Sequence, residues 1–175
     1  MRVPAGDLWT LLALALLLAG AGLRFAGLTR GSAEPVLPEH RPPSGGAAFY
    51  HFHPDEDTLI QSGLTPNLDW LAPPFTSYGV LPVYLLRGVL EGLGWGGLNL
   101  EDPDSARRVF LLARTLAALC SWGVLWLVWQ MGCRYFSRPA AALALAIAAF
   151  APGAIQQAHF FIVDGFFALL SAAAV

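Results

Sequence analysis

Residues 8–23 form an unbroken run of sixteen in which Thr10 is the only strongly polar side chain. In hydrocarbon an unpaired backbone N–H or C=O costs several kcal/mol, so a bilayer admits such a run only as a helix. A span takes about twenty residues at about 1.5 Å each. If Arg24 snorkels to the headgroups, Leu28 closes a 21-residue span, which predicts a first transmembrane helix over 8–28. A cleaved signal peptide is the competing reading, with Arg2 as its n-region and Ala19-Gly20-Ala21 near a cleavage site. The run is long for such a peptide, and further apolar runs follow it.

A second span is expected over 109–133, broken only by Arg114, Thr115, Ser121 and Gln130. Pro139 restarts the chain, and a third span over 140–156 ends near Pro152-Gly153. Gln156, Gln157, His159 and Asp164 make a polar turn, and the last apolar stretch is read as a truncated fourth span over 160–175. Eleven residues from Gly165 reach only about 16 Å, against about 30 Å of hydrocarbon. The chain is therefore expected to be the N-terminal part of a longer polytopic protein. Composition agrees: 13% of residues are charged, against about 25% in soluble domains, and mean hydropathy is +0.56. The fold class expected is an all-α polytopic membrane protein with three to four transmembrane helices. A net charge of −2 without a long basic run gives nucleic-acid binding little support, and no nucleic-acid partner is expected. Cys120 and Cys133, about 20 Å apart along one helix, cannot pair within the chain.

Residues 29–108 form a long loop between the first two spans. Its start, 29–46, carries four prolines and reads as irregular. A short helix is expected over 54–64, because proline suits a first helical position and acids in the first turn complement the helix dipole. A second is expected over 82–93. Leu85, Leu86, Val89, Leu90 and Leu93 form its apolar stripe, and Arg87 and Glu91 lie four apart on another face. It is too short and too charged to span, and it suits the membrane interface with Trp95 at headgroup level. Residues 94–105 read as a polar connection. Arg134 and Arg138, in a five-residue link, place that link in the cytoplasm by the positive-inside rule. The N-terminus is then cytoplasmic, and the long loop and the turn before Asp164 share the outer side of an inner membrane.

The loop carries the chemistry. His51-Phe52-His53-Pro54-Asp55-Glu56-Asp57 packs two imidazoles and three carboxylates into seven residues. The acids fit two roles, helix capping or acid–base catalysis. His51, His53, Asp55 and Glu56 are also ligand types that zinc or manganese accepts. Pro54 spoils the alternation that would gather them on one face, so no metal ligand is assigned and a divalent cation stays an open alternative. Arg114 fits either a lipid phosphate or snorkelling at a helix end. Asp164 closes the polar turn, where an acid is costly unless partnered. His159 reads as a helix-end hydrogen bonder.

Five pieces, in order, resemble one family. They are Leu23-Arg24-Phe25-Ala26-Gly27-Leu28, Phe52-His53-Pro54-Asp55-Glu56, Ser77-Tyr78-Gly79-Val80-Leu81-Pro82-Val83-Tyr84-Leu85-Leu86, Arg114-Thr115-Leu116 and Gln157-Ala158-His159-Phe160-Phe161-Ile162-Val163-Asp164. The set resembles the GT-C superfamily of polytopic glycosyltransferases, in its bacterial protein O-mannosyltransferase and aminoarabinose-transferase branch. The resemblance implies transfer of a sugar from a polyprenyl-phosphate donor to a glycan, lipid or protein acceptor outside the cytoplasm. It implies Asp55, with Glu56 beside it, and Asp164 as catalytic acids. It implies His53, Tyr78, Arg114 and His159 as substrate contacts. The family's further spans and its outer soluble domain are not in this chain. The rival class is a non-enzymatic transporter or assembly subunit whose outer loop binds a partner.

Overall fold

The computed structural model describes residues 5–31, 53–65 and 79–175. All regular structure among them is helical: α1 (Ala5–Phe25), α2 (Pro54–Leu64), α3 (Leu81–Gly92), α4 (Pro103–Tyr135), α5 (Arg138–Phe150), α6 (Pro152–Ala158) and α7 (Val163–Ala173). Helices α1 and α4 are long and apolar enough to cross a membrane. The pair α5 and α6, bent by 58° at their junction, makes a third span if counted as one broken crossing. Two compact units share the described residues, and α4 runs through both, changing unit after Leu116.

The first unit holds α1, α4 from Ala117, α5, α6 and α7 from Asp164. Ala13 and Leu17 on α1, Leu125 and Trp129 on α4, and Ala141, Ala142, Leu145 and Ala149 on α5 form its core. Small residues let the backbones approach, as expected where helices associate by van der Waals packing alone. A Cβ added to Gly132 would lie 2.7 Å from Ala141 Cα, and one added to Gly20 would lie 2.5 Å from Leu125 Cδ1. Trp122 Nε1 donates to Leu17 O at 3.1 Å. Leu11, Leu14 and Leu18 on α1, Leu143 and Ile147 on α5, and Phe167 on α7 are exposed, which leaves this unit an apolar exterior.

Two sequence expectations change here. The third span is not one helix, because Pro152 lacks the N–H that would bond Ala148 O and pushes the preceding residue out of the helical region. Ala151 accordingly takes φ −64°, ψ 113°, and Pro152 opens α6 at its first position. Arg24 does not snorkel. It is 1% exposed and donates to Ala148 O at 3.1 Å and Ala149 O at 3.1 Å, the carbonyls that the break strands. Gly27, at φ +84°, then ends α1 in the left-handed conformation usual at a helix C-terminus.

The second unit holds α2, α3, the start of α4 and the segment Phe160–Val163. Leu59 and Ile60 on α2, Val83, Leu86 and Leu90 on α3, Ala106, Val109, Phe110 and Ala113 on α4, and Phe161 are buried. Gly63 lets α2 and α3 meet, since an added Cβ would sit 3.1 Å from Leu86 Cδ2. The buried face of α3 is therefore Val83, Leu86 and Leu90; Leu85 and Leu93, expected in the stripe, are exposed. Arg87 and Glu91 pair at 2.6 Å, as their spacing allows. Gly94, at φ +72°, ends α3 in a Schellman motif, with Trp95 N on Leu90 O at 2.7 Å and Gly94 N on Glu91 O at 3.0 Å. Helix α4 starts earlier than the apolar run, because Asp102 caps it. The Asp102 carboxylate accepts from Ser105 N at 2.9 Å, its carbonyl accepts from Ala106 N at 2.9 Å, and Pro103 follows at the first helical position.

Candidate functional site

The acidic cluster lies at the start of α2, within the second unit. His53 is the N-cap, in extended geometry (φ −128°, ψ 124°), and its Nδ1 accepts from Asp55 N at 3.2 Å. An accepting Nδ1 places the ring proton on Nε2. The ring also packs on Phe160, with centroids 5.8 Å apart. Three acids follow in the first turn, and the helix sends each a different way. Asp57 accepts from Gln61 Nε2 at 2.7 Å on an exposed flank. Asp55 is half-buried, and among the described residues its carboxylate accepts no hydrogen bond. Glu56 turns inward, because it stands three and four residues before Leu59 and Ile60 on the buried face.

Glu56 is 0% exposed and meets Arg114, 1% exposed, side by side. Arg114 Nε donates to Oε1 at 2.7 Å and Nη2 to Oε2 at 2.7 Å, a bidentate charged pair. Oε1 also accepts from Phe161 N at 3.1 Å. Arg114 Nη1 donates to Leu28 O at 3.1 Å and to Arg30 O at 2.7 Å, and the guanidinium lies 5.8 Å from the Phe110 ring centroid. One ion pair thus ties α2, α4, the chain after α1 and the chain before α7. Its completeness matters: a buried pair of this kind holds only when hydrogen bonds satisfy its remaining donors and acceptors.

This geometry corrects one expected reading. Arg114 neither snorkels nor faces a lipid phosphate; its guanidinium is sealed among protein acceptors. The Glu56 carboxylate is held by three N–H donors. Asp55, one residue earlier, makes no such pair among the described residues. Among the described residues no three His, Cys, Asp or Glu side chains gather to hold a metal. His51 and Tyr78 lie outside the described residues.

The remaining expected residues belong to the first unit. Asp164 is exposed in the first turn of α7 and accepts from Gln157 Nε2 at 3.1 Å. His159 Nδ1 lies 2.7 Å from Ile155 O and Nε2 lies 2.7 Å from Ala26 O. Both ring nitrogens face backbone carbonyls, so His159 ties the end of α6 to the end of α1.

Arg24 was expected only as a membrane-depth marker, yet it is a second buried cation of note. Its Nε donates to Ser121 Oγ at 2.9 Å and Nη1 to Gly20 O at 3.2 Å, besides the two carbonyls of α5. Among the described residues no carboxylate pairs with it. The C-terminal ends of α1 and α5 offset about 0.3–1 kcal/mol each. Removing a guanidinium from water costs several kcal/mol, so these dipoles compensate the charge only in part.

No protein-family model, no curated protein and no solved structure matches the chain.

Proposed function

We propose that the chain is part of a membrane glycosyltransferase that moves a sugar from a polyprenyl-phosphate carrier to an acceptor hydroxyl on the outer side of the inner membrane. Asp55 takes the hydroxyl proton. The acceptor oxygen forms a bond to the anomeric carbon, the bond from that carbon to the carrier's phosphate oxygen breaks, and the electron pair leaves on the polyprenyl phosphate. The Glu56–Arg114 pair holds the first turn of α2 in place, which fixes Asp55 without competing for its proton. His53 Nε2–H contacts the substrate, and the resemblance adds Tyr78 to that contact.

One observation supports this reading above the others. Of two adjacent carboxylates, the fold commits Glu56 to a buried pair with Arg114 and leaves Asp55 half-buried, its carboxylate accepting no hydrogen bond among the described residues. Mere helix capping has no use for that division of labour. The ordered motifs and the apolar helices α1 and α4 agree with an enzyme of lipid-borne substrates.

The full-length protein in inner-membrane vesicles tests the proposal, supplied with polyprenyl-phosphate sugars labelled in the sugar. Label passing to a glycan, lipid or protein acceptor, with equimolar release of polyprenyl phosphate, is the expected result. Folded protein that transfers no label from any donor of this class would refute it.

A further inference from the structure

The first unit carries a partly open cavity of about 270 Å³, lined by Arg24, Ser121, Gln157 and Asp164 and otherwise by apolar side chains such as Leu125 and Ala168. Water needs two to four polar partners at each position, and most of this wall offers none. An alkyl chain suits it better. Arg24 is 1% exposed and donates to four protein oxygens, none of them a carboxylate. These bonds use four of the five N–H donors that a guanidinium carries. Buried charges are normally paired. Among the described residues no carboxylate pairs with this one.

We propose that this cavity binds the head of an anionic amphiphile, with its phosphate or carboxylate on Arg24 and its first methylenes along the apolar wall. Asp164 shares the lining, but it is exposed and solvent screens it, whereas the Arg24 charge is buried and keeps its reach. Asp164 therefore limits the ligand to a small anionic head and does not abolish binding. The proposal stands apart from the transferase reading, since it needs neither a sugar nor Asp55.

Calorimetric titration of the full chain in neutral detergent tests it, with octyl phosphate, octanoate and octanol as probes. At least one anion should bind tenfold or more tightly than octanol. Binding of octyl phosphate alone assigns the site to a phosphate head; binding of both anions assigns it to anionic amphiphiles in general. Arg24→Gln should remove the preference for charge. Because Arg24 also satisfies the end of α5, Ala168→Phe provides a second variant that fills the cavity and leaves those bonds in place. It should lower anion binding at least tenfold while helix content is kept. Octanol binding as tightly as both anions, or Ala168→Phe binding them as wild type does, would overturn the proposal.

Discussion

Glu56 and Arg114 face each other through two parallel N–H···O bonds of 2.7 Å each, with neither side chain reaching solvent. The relationship is long-range, joining the first turn of one helix to the interior of another fifty-eight residues later. Removing one member strands the other charge in the core, which costs about 3–5 kcal/mol. Glu56→Gln and Arg114→Met should each lower the unfolding free energy in detergent by about that amount. Replacing both by apolar residues should cost far less than the sum of the two, because no charge is then left alone. A double-mutant cycle on unfolding midpoints checks the coupling; additive effects would show that the pair is not the fastener described.

Glycines at two places in the helices should respond in opposite directions. Gly132→Ala brings a methyl to 2.7 Å from Ala141 Cα, which is backbone and cannot swing away. The α4–α5 crossing must open, at about 1–3 kcal/mol. Gly22, on α1, has nothing within 4 Å of an added Cβ. Gly22→Ala should stabilise by roughly 0.5–1 kcal/mol, by restricting the unfolded chain and favouring the helix. Thermal unfolding of the two variants side by side reads the sign.

Asp102 predicts an acid-dependent contribution. Hydrogen bonds from the Ser105 side chain, and then from its backbone N–H, hold this carboxyl below the usual carboxylate range. A group whose folded value is depressed stabilises the fold above its unfolded value, and that stabilisation is lost as pH falls through the folded value. Asp102→Asn should therefore unfold at a lower temperature than wild type at neutral pH. The gap should close in acid, below the ordinary carboxylate range. A pH series of melting temperatures for the two proteins measures it, and a gap independent of pH would contradict the capping role.

The helices were legible because apolar runs and proline positions are local signals. The start of α2 at Pro54 follows from a proline and three acids in a row. The break before Pro152 was visible as a proline but was taken for a span end, because periodicity does not show whether a helix stops or bends. Glu56 and Arg114 were singled out separately, and their pairing was not foreseen. The signal was present: Glu56 precedes Leu59, Ile60 and Gly63 on one face of α2, and Arg114 follows Phe110 and precedes Ala117 and Ala118 on one face of α4. A charge on each of two buried stripes, opposite in sign, requires a partner. Which partner it takes is a long-range fact that spacing within one helix does not carry. Arg24 was misread for a similar reason, since its acceptors Ala148 and Ala149 are bared only by the break at Ala151.

The central claim is that the cluster divides its labour, with Glu56 as the fastener and Asp55 as the base. The most direct test compares Asp55→Asn with wild type in the full-length protein, measuring both transfer from a polyprenyl-phosphate sugar and the unfolding midpoint in detergent. The account predicts that Asp55→Asn melts within a degree or two of wild type and loses at least a hundredfold in transfer rate, the scale of a missing general base. An Asp55→Asn protein that transfers sugar at the wild-type rate would contradict it.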